Sequence, residues 1–148
     1  MPAQKQEGRH ILLADDSPGD VRLLQEALRS GATGSQVSVA RDGVEALEFL
    51  RASALPPDLV LLDLNMPRKS GLEVLSEMKQ DPSLRRIPVV MLSTSGLESD
   101  VARAYDLHAN CYVTKPQDFE EFTALIDGLM RFWFQVAHLP GTKENTPQ

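Results

Sequence analysis

Apolar positions fall along the chain in two textures that alternate. Short apolar runs occupy 10–14, 37–40, 59–62, 89–93 and 111–114, and each is followed by a longer stretch whose apolar residues recur every three or four positions. The runs are too short for helices and, apart from 37–40, do not alternate with polar residues, so they predict strands covered on both faces, as in a parallel sheet. The periodic stretches predict helices. Val21, Leu24 and Leu28 form the first stripe, Val44, Leu47 and Leu50 the second, and Leu72, Leu75 and Met78 the third; Val101, Ala104 and Tyr105 form the fourth. Each helix is introduced by a capping residue with an acid three positions on: Ser17 with Asp20, Asp42 with Glu45, Ser70 with Glu73, Ser95 with Glu98 and Asp118 with Glu121. Pro18 suits a first helical position, and Pro56-Pro57 separates the second helix from the third strand. Five strands alternating with five helices through short connections require right-handed crossovers. The expected fold is α/β: a five-stranded parallel sheet with five helices, a doubly wound three-layer sandwich of the flavodoxin-like kind.

The final helix is expected to run to about Ala137, with Phe122, Leu125, Ile126, Leu129 and Trp133 on one face. At about 100° per residue Phe134 falls outside that stripe, with Met130 between, so the end of the helix is apolar over much of its circumference. An apolar patch that its own domain leaves uncovered marks a partner surface. Phe132, Trp133 and Phe134 are therefore expected at a symmetric homodimer interface, together with the last strand and the fourth helix. Residues 1–8 are expected to be a flexible amino terminus, 9–137 the folded domain with its extended last helix, and 138–148 a polar tail.

Composition narrows the function. The 148 residues suit one domain with a substantial core, and hydrophobic residues at 42% with charged residues at 24% are ordinary for a soluble protein. No apolar run reaches the roughly 20 residues of a membrane span, the amino terminus has no signal-peptide core, and Cys111 is the only cysteine. The expected compartment is the cytoplasm. A net charge of -6, with no basic cluster beyond Arg85-Arg86, argues against nucleic acid and for proteins or cations as partners. The absence of a Gly-rich phosphate loop argues against ATP binding, and His10, His108 and His138 match no metal or catalytic spacing.

The chemistry gathers at the strand ends. Asp15 and Asp16 follow the first strand, Asp63 the third, Ser93 closes the fourth and Lys115 follows the fifth. In a parallel sheet these carboxyl ends share one edge, where ligands collect. Three carboxylates crowded there would raise one another's pKa unless a cation neutralised them, and a hard divalent ion such as Mg²⁺ accepts such oxygens. Lys115 adds a positive charge and Ser93 a hydroxyl, which together suit a phosphoryl group arriving on a carboxylate nucleophile, Asp63.

Asp15-Asp16, Asp63 within Asp63-Leu64-Asn65-Met66-Pro67, Ser93 and Lys115-Pro116 resemble, in order and spacing, the invariant set of two-component response-regulator receiver domains. The resemblance covers residues 9 to 135. It implies a receiver that takes a phosphoryl group from a sensor histidine kinase onto Asp63, with Asp16, Asp63 and the Asn65 carbonyl as direct Mg²⁺ ligands and Asp15 acting through water. It implies that Ser93 and Lys115 hold the phosphoryl oxygens, that Tyr112 is the aromatic that rotates when the hydroxyl residue moves, and that Lys115-Pro116 is a cis peptide. Ser93 stands where threonine is commoner, and Thr94 where alanine or glycine is commoner; a β-branched Thr94 is expected to restrict access to the pocket. The long last helix and Cys111-Tyr112 look like the small single-domain regulators paired with bacterial phytochromes. Such a protein is a phosphoacceptor, not an enzyme in the usual sense, though it assists its own phosphotransfer and dephosphorylation, and its output is contact with another protein. Two other functions compete. A dehalogenase-type phosphatase needs a second acid two residues after the nucleophile, where Asn65 stands, and a docking module that never takes phosphate has no use for the intact Asp, Lys and hydroxyl set.

Overall fold

The computed structural model describes residues 9–30 and 36–140. The expected flexible amino terminus, the turn after the first helix and the tail from 141 lie outside them. The elements run in order: β1 (His10–Ala14), α1 (Pro18–Ser30), β2 (Gln36–Ala40), α2 (Gly43–Ala52), β3 (Leu59–Leu62), α3 (Gly71–Gln80), β4 (Val89–Ser93), α4 (Glu98–Asp106), β5 (Cys111–Thr114) and α5 (Phe119–Arg131), closed by a π-helical turn (Phe132–Val136). The strands form one sheet in the order β2-β1-β3-β4-β5, and every pairing is parallel.

The unbroken apolar runs are explained by two separate cores. Successive side chains of a strand point to opposite faces, so a strand buried on both faces needs apolar residues at every position. Leu12, Val60, Leu62 and Met91 pack with Leu47, Leu50, Leu75 and Met78 of α2 and α3 on one side of the sheet. Ile11, Leu13, Leu59, Leu61, Val90 and Leu92 pack with Leu24 and Leu28 of α1 and Phe122 and Ile126 of α5 on the other.

Four of the five expected caps form. The Asp20 amide donates to Ser17 Oγ, Glu45 to Asp42, and Glu121 to Asp118, while Ser70 and Glu73 make a reciprocal capping box. The fifth does not. α4 begins at Glu98 behind Leu97, which supplies no side-chain cap; Ser95 instead bridges the strand end and the helix, its amide donating to Ser93 Oγ and its hydroxyl to Asp100. Tyr105, expected on the buried stripe of α4, is half exposed. None of the described peptide bonds is cis, so Lys115-Pro116 is trans, the form that proline's tertiary amide still favours by about 0.5–1 kcal/mol.

The end of the chain differs most from expectation. A π-helical turn carries an extra residue per turn relative to an α-helix, which rotates the side chains beyond it. Phe134 is thereby swung into the core beside α1 and α5, where it is 4% exposed, with the Arg9 guanidinium 5.3 Å from its ring centroid. Trp133 is half-buried against the same core, Phe132 is half exposed and meets Trp133 edge to face, and Leu139, placed by the sequence in the polar tail, is buried. The assignment of Phe134 to an exposed patch is therefore corrected. Phe134→Ala should cost about 3–5 kcal/mol in urea denaturation, whereas Phe132→Ala should cost less than about 1 kcal/mol; a straight α-helix would reverse that order.

Candidate functional site

The sheet's hydrogen bonding continues past the strands and fixes the site. The Asp15 amide donates to Ala40 O, Asp63 to Ala14 O and Lys115 to Ser93 O, so the residues after β1, β3 and β5 are held beside the ends of neighbouring strands. Three expected groups are buried there: Asp15, Ser93 and Lys115. Asp63 is half-buried, and Asp16 and Asn65 are exposed.

The loop after β3 is shaped by one glycine. The Gly71 amide donates to Leu64 O, which folds the loop back on itself, and a Cβ on Gly71 would lie 2.1 Å from Asp63 O. Only glycine permits that approach. Arg68, at φ 68°, braces the same loop by donating from its guanidinium to both carboxylate oxygens of Asp42, the cap of α2.

One oxygen from each of Asp15, Asp16 and Asp63 lies within 4.8 Å of the others. All the donors are hard carboxylate oxygens, and the exposed Asp16 leaves one side open to waters, a combination that suits a hard divalent cation. Asp15 is already committed: Oδ1 accepts the Ser17 amide at 3.0 Å and Oδ2 accepts Lys115 Nζ at 2.7 Å. Asp63 Oδ1 accepts the Leu64 amide at 2.9 Å and lies 3.7 Å from Lys115 Nζ, and neither contact uses Oδ2. Both oxygens of Asp15 are thus engaged within the protein, while Asp63 Oδ2 takes part in neither of these contacts and Asp16 is exposed.

Burial pushes the Asp63 carboxyl up to about 6; the charge of Lys115 opposes this, and those of Asp15 and Asp16 add to it. Burial disfavours the charged form of Lys115 too, yet the hydrogen bonds and charges of Asp15, Asp20 and Asp63 hold its pKa above the ordinary lysine value. Asp20 is the member that spacing did not single out. It sits in the first turn of α1 where a cap acid belongs, but its carboxylate accepts Lys115 Nζ at 2.8 Å.

Tyr112 and Ser93 meet through one residue. Ser93 Oγ accepts the Ser95 amide at 3.1 Å, and the Tyr112 hydroxyl donates to Ser95 O at 2.8 Å. Thr94, between them in sequence, is exposed. The remaining aromatic positions, Phe132, Trp133 and Phe134, are remote in the chain from these strand ends and belong to the α5 terminus. A cavity of about 590 Å³ lies at the opposite edge of the sheet, lined by His10, Asp58, Arg86 and Pro88 among others, and holds none of this group. His10 there places Nε2 2.8 Å from Ser38 Oγ and packs edge-on against Phe49.

Comparison with known proteins agrees with this geometry. Residues 11–127 match the response regulator receiver domain family. The chain is 44% identical over 135 residues to the response regulator Rcp1 of Synechocystis sp., an alignment covering 88% of this chain and 92% of that protein. The crystal structure of the phosphorylated cyanobacterial phytochrome response regulator RcpA is 47% identical and superimposes with a TM-score of 0.87 over 90% of this chain and 99% of that one. The Mn²⁺-bound form of Rcp1 is 43% identical with a TM-score of 0.84, over 90% and 99% of the two chains. Five parallel strands that bring three carboxylates, a serine and a lysine to one edge, and the match of 117 consecutive residues from 11 to 127, establish that this chain belongs to the response regulator receiver domains.

Proposed function

We propose that this receiver accepts a phosphoryl group on Asp63 from the phosphohistidine of a sensor kinase, and that the kinase is a bacterial phytochrome, as the naming of RcpA suggests for that relative. The observation that carries this reading is the convergence on Asp63 of an ammonium 3.7 Å away and two further carboxylates. Asp16 and Asp63, with the Asn65 carbonyl, are the residues that would hold Mg²⁺, with Asp15 acting through water. When bound, the ion supplies neutralisation of the carboxylates and of the incoming phosphoryl charge.

An Asp63 carboxylate oxygen attacks phosphorus in line with the leaving imidazole nitrogen; the O–P bond forms as the N–P bond breaks, and the bond's electron pair leaves with the nitrogen. Lys115 and Ser93 then donate to the new phosphoryl oxygens. Hydrolysis returns inorganic phosphate and the free carboxylate, and exposed Thr94 limits the approach of water. As Ser93 turns its hydroxyl toward the phosphoryl group it pulls on the Ser95 amide that it accepts, and so on the residue whose carbonyl holds Tyr112. That is the route from chemistry to surface, and the output is a changed protein contact in the cytoplasm.

A second copy of the chain is the proposed partner in that contact. Phe134 no longer supports it, but Phe132 and Val136 at the end of the last helix, and Leu97, Tyr105 and Phe119 about α4 and α5, remain exposed. Sedimentation with a stable phosphoryl mimic should show a dimer at micromolar concentration, and Phe132→Asp should weaken it at least tenfold; a parent that stays monomeric with the mimic bound excludes it.

Acetyl phosphate with Mg²⁺ should add one phosphoryl mass to the parent and none to Asp63→Asn. Equal labelling of the variant would mean that another residue is the acceptor. The same substitution has a stability signature in chelator. Because folding raises the Asp63 pKa from its ordinary 3.8 to about 6, the folded state favours the protonated form, a contribution complete below 3.8 and lost as pH rises through about 6. Asp63→Asn should therefore leave urea stability unchanged near pH 4 and raise it by about 1–2 kcal/mol at pH 7.5, the value allowing for screening on the open side of the pocket.

A further inference from the structure

The Lys115 ammonium has three hydrogens to give. One goes to Asp15 Oδ2 at 2.7 Å and another to Asp20 Oδ2 at 2.8 Å, and the distance to Asp63 Oδ1, 3.7 Å, is beyond a hydrogen bond. The group that must serve a phosphoryl oxygen is thus held by two other acids, while the acceptor carboxylate receives the Leu64 amide and no hydrogen bond from the ammonium. These acids are not equal. Asp15 is buried, 1% exposed in its side chain, and its other oxygen is fixed by the Ser17 amide, so it cannot withdraw without leaving a buried charge unpaired. Asp20 is 36% exposed and can return to water at little cost.

The geometry points to Asp20 as a positioning residue that holds the Lys115 ammonium back from the unphosphorylated acceptor and releases it when a phosphoryl group arrives. This rests on the receiver function proposed above. Its effects on the two ligands have opposite signs. While Asp20 shares the ammonium, less positive charge opposes a divalent cation beside Asp63, so cation binding is favoured. A phosphoryl group on Asp63 has to draw the ammonium from where Asp20 and Asp15 hold it, with the Asp20 charge repelling its oxygens, so retention of that group is weakened. Asp20 sets the site between these two, trading grip on the phosphoryl group for readiness to bind the cation.

The opposed signs make the test. Calorimetric titration of Mg²⁺ alone, and of fluoroberyllate in saturating Mg²⁺, is compared for the parent, Asp20→Asn, Asp20→Glu and Glu26→Gln, the last an exposed acid elsewhere on α1. Asp20→Asn is expected to bind Mg²⁺ about threefold more weakly and fluoroberyllate about fivefold more tightly, the size of one partly exposed ion pair. Asp20→Glu, which keeps the charge, should return both affinities toward the parent, and Glu26→Gln should change neither. A structural role for Asp20 in α1 would weaken both ligands together, and that result overturns the proposal, as does no change in either. Equal tightening in Glu26→Gln would reduce the effect to net charge and also overturn it. A parent that does not bind fluoroberyllate at all removes the receiver function itself, and the role of Asp20 with it.

Discussion

Among the described residues Lys115 is the buried positive charge, and the carboxyl edge of the sheet depends on it. Both faces of the sheet are covered by helices, so ionised groups reach the sheet at its strand ends, and even there Asp15 is removed from water. A buried carboxylate without a partner costs several kcal/mol, and removing one member of such a pair commonly costs about 3–5 kcal/mol. The ammonium answers for Asp15, Asp20 and, at longer range, Asp63. Its backbone is held too, since the Lys115 amide continues the ladder onto Ser93 O. The same side chain therefore supports the fold at rest and the chemistry in action, and both demands bear on where one ammonium sits.

Much of this was legible in the sequence because the physics involved is local. Uninterrupted apolar runs such as Leu59–Leu62 mean burial on both faces, and the capping pairs at Asp42, Ser70 and Asp118 announce helix starts within three residues. The strand-end set was legible for a different reason: parallel strands place Asp63, Ser93 and Lys115 on one edge whatever their separation in the chain. Spacing failed where a residue had a stronger distant claim on it. Ser95 carries the same cap signature as Ser70 but is held by Ser93, and Asp20 carries the signature of a cap acid but turns to a lysine 95 positions away. Phe134 was misplaced because a constant 100° per residue cannot foresee a turn with an extra residue in it. The left-handed backbone of Arg68 gave no signal, since arginine has no preference for it.

The loop that carries the proposed metal carbonyl is held in position from behind. Gly71 allows its backbone to close on Asp63, and the Arg68–Asp42 pair ties it to the start of α2. The exposed ion pair adds little stability by itself. Its value is directional: two parallel hydrogen bonds fix the orientation of a loop whose exposed side chains have no core to settle against.

The contact between Arg9 and Phe134 joins the residue before the first strand to the turn after the last helix. The described chain is in effect a closed ring fastened by one cation resting on one aromatic face. Fraying from the front must lift Arg9 from Phe134, and fraying from the back must pull Phe134 from beneath Arg9, so each end makes the opening of the other dearer by about 0.5–2 kcal/mol.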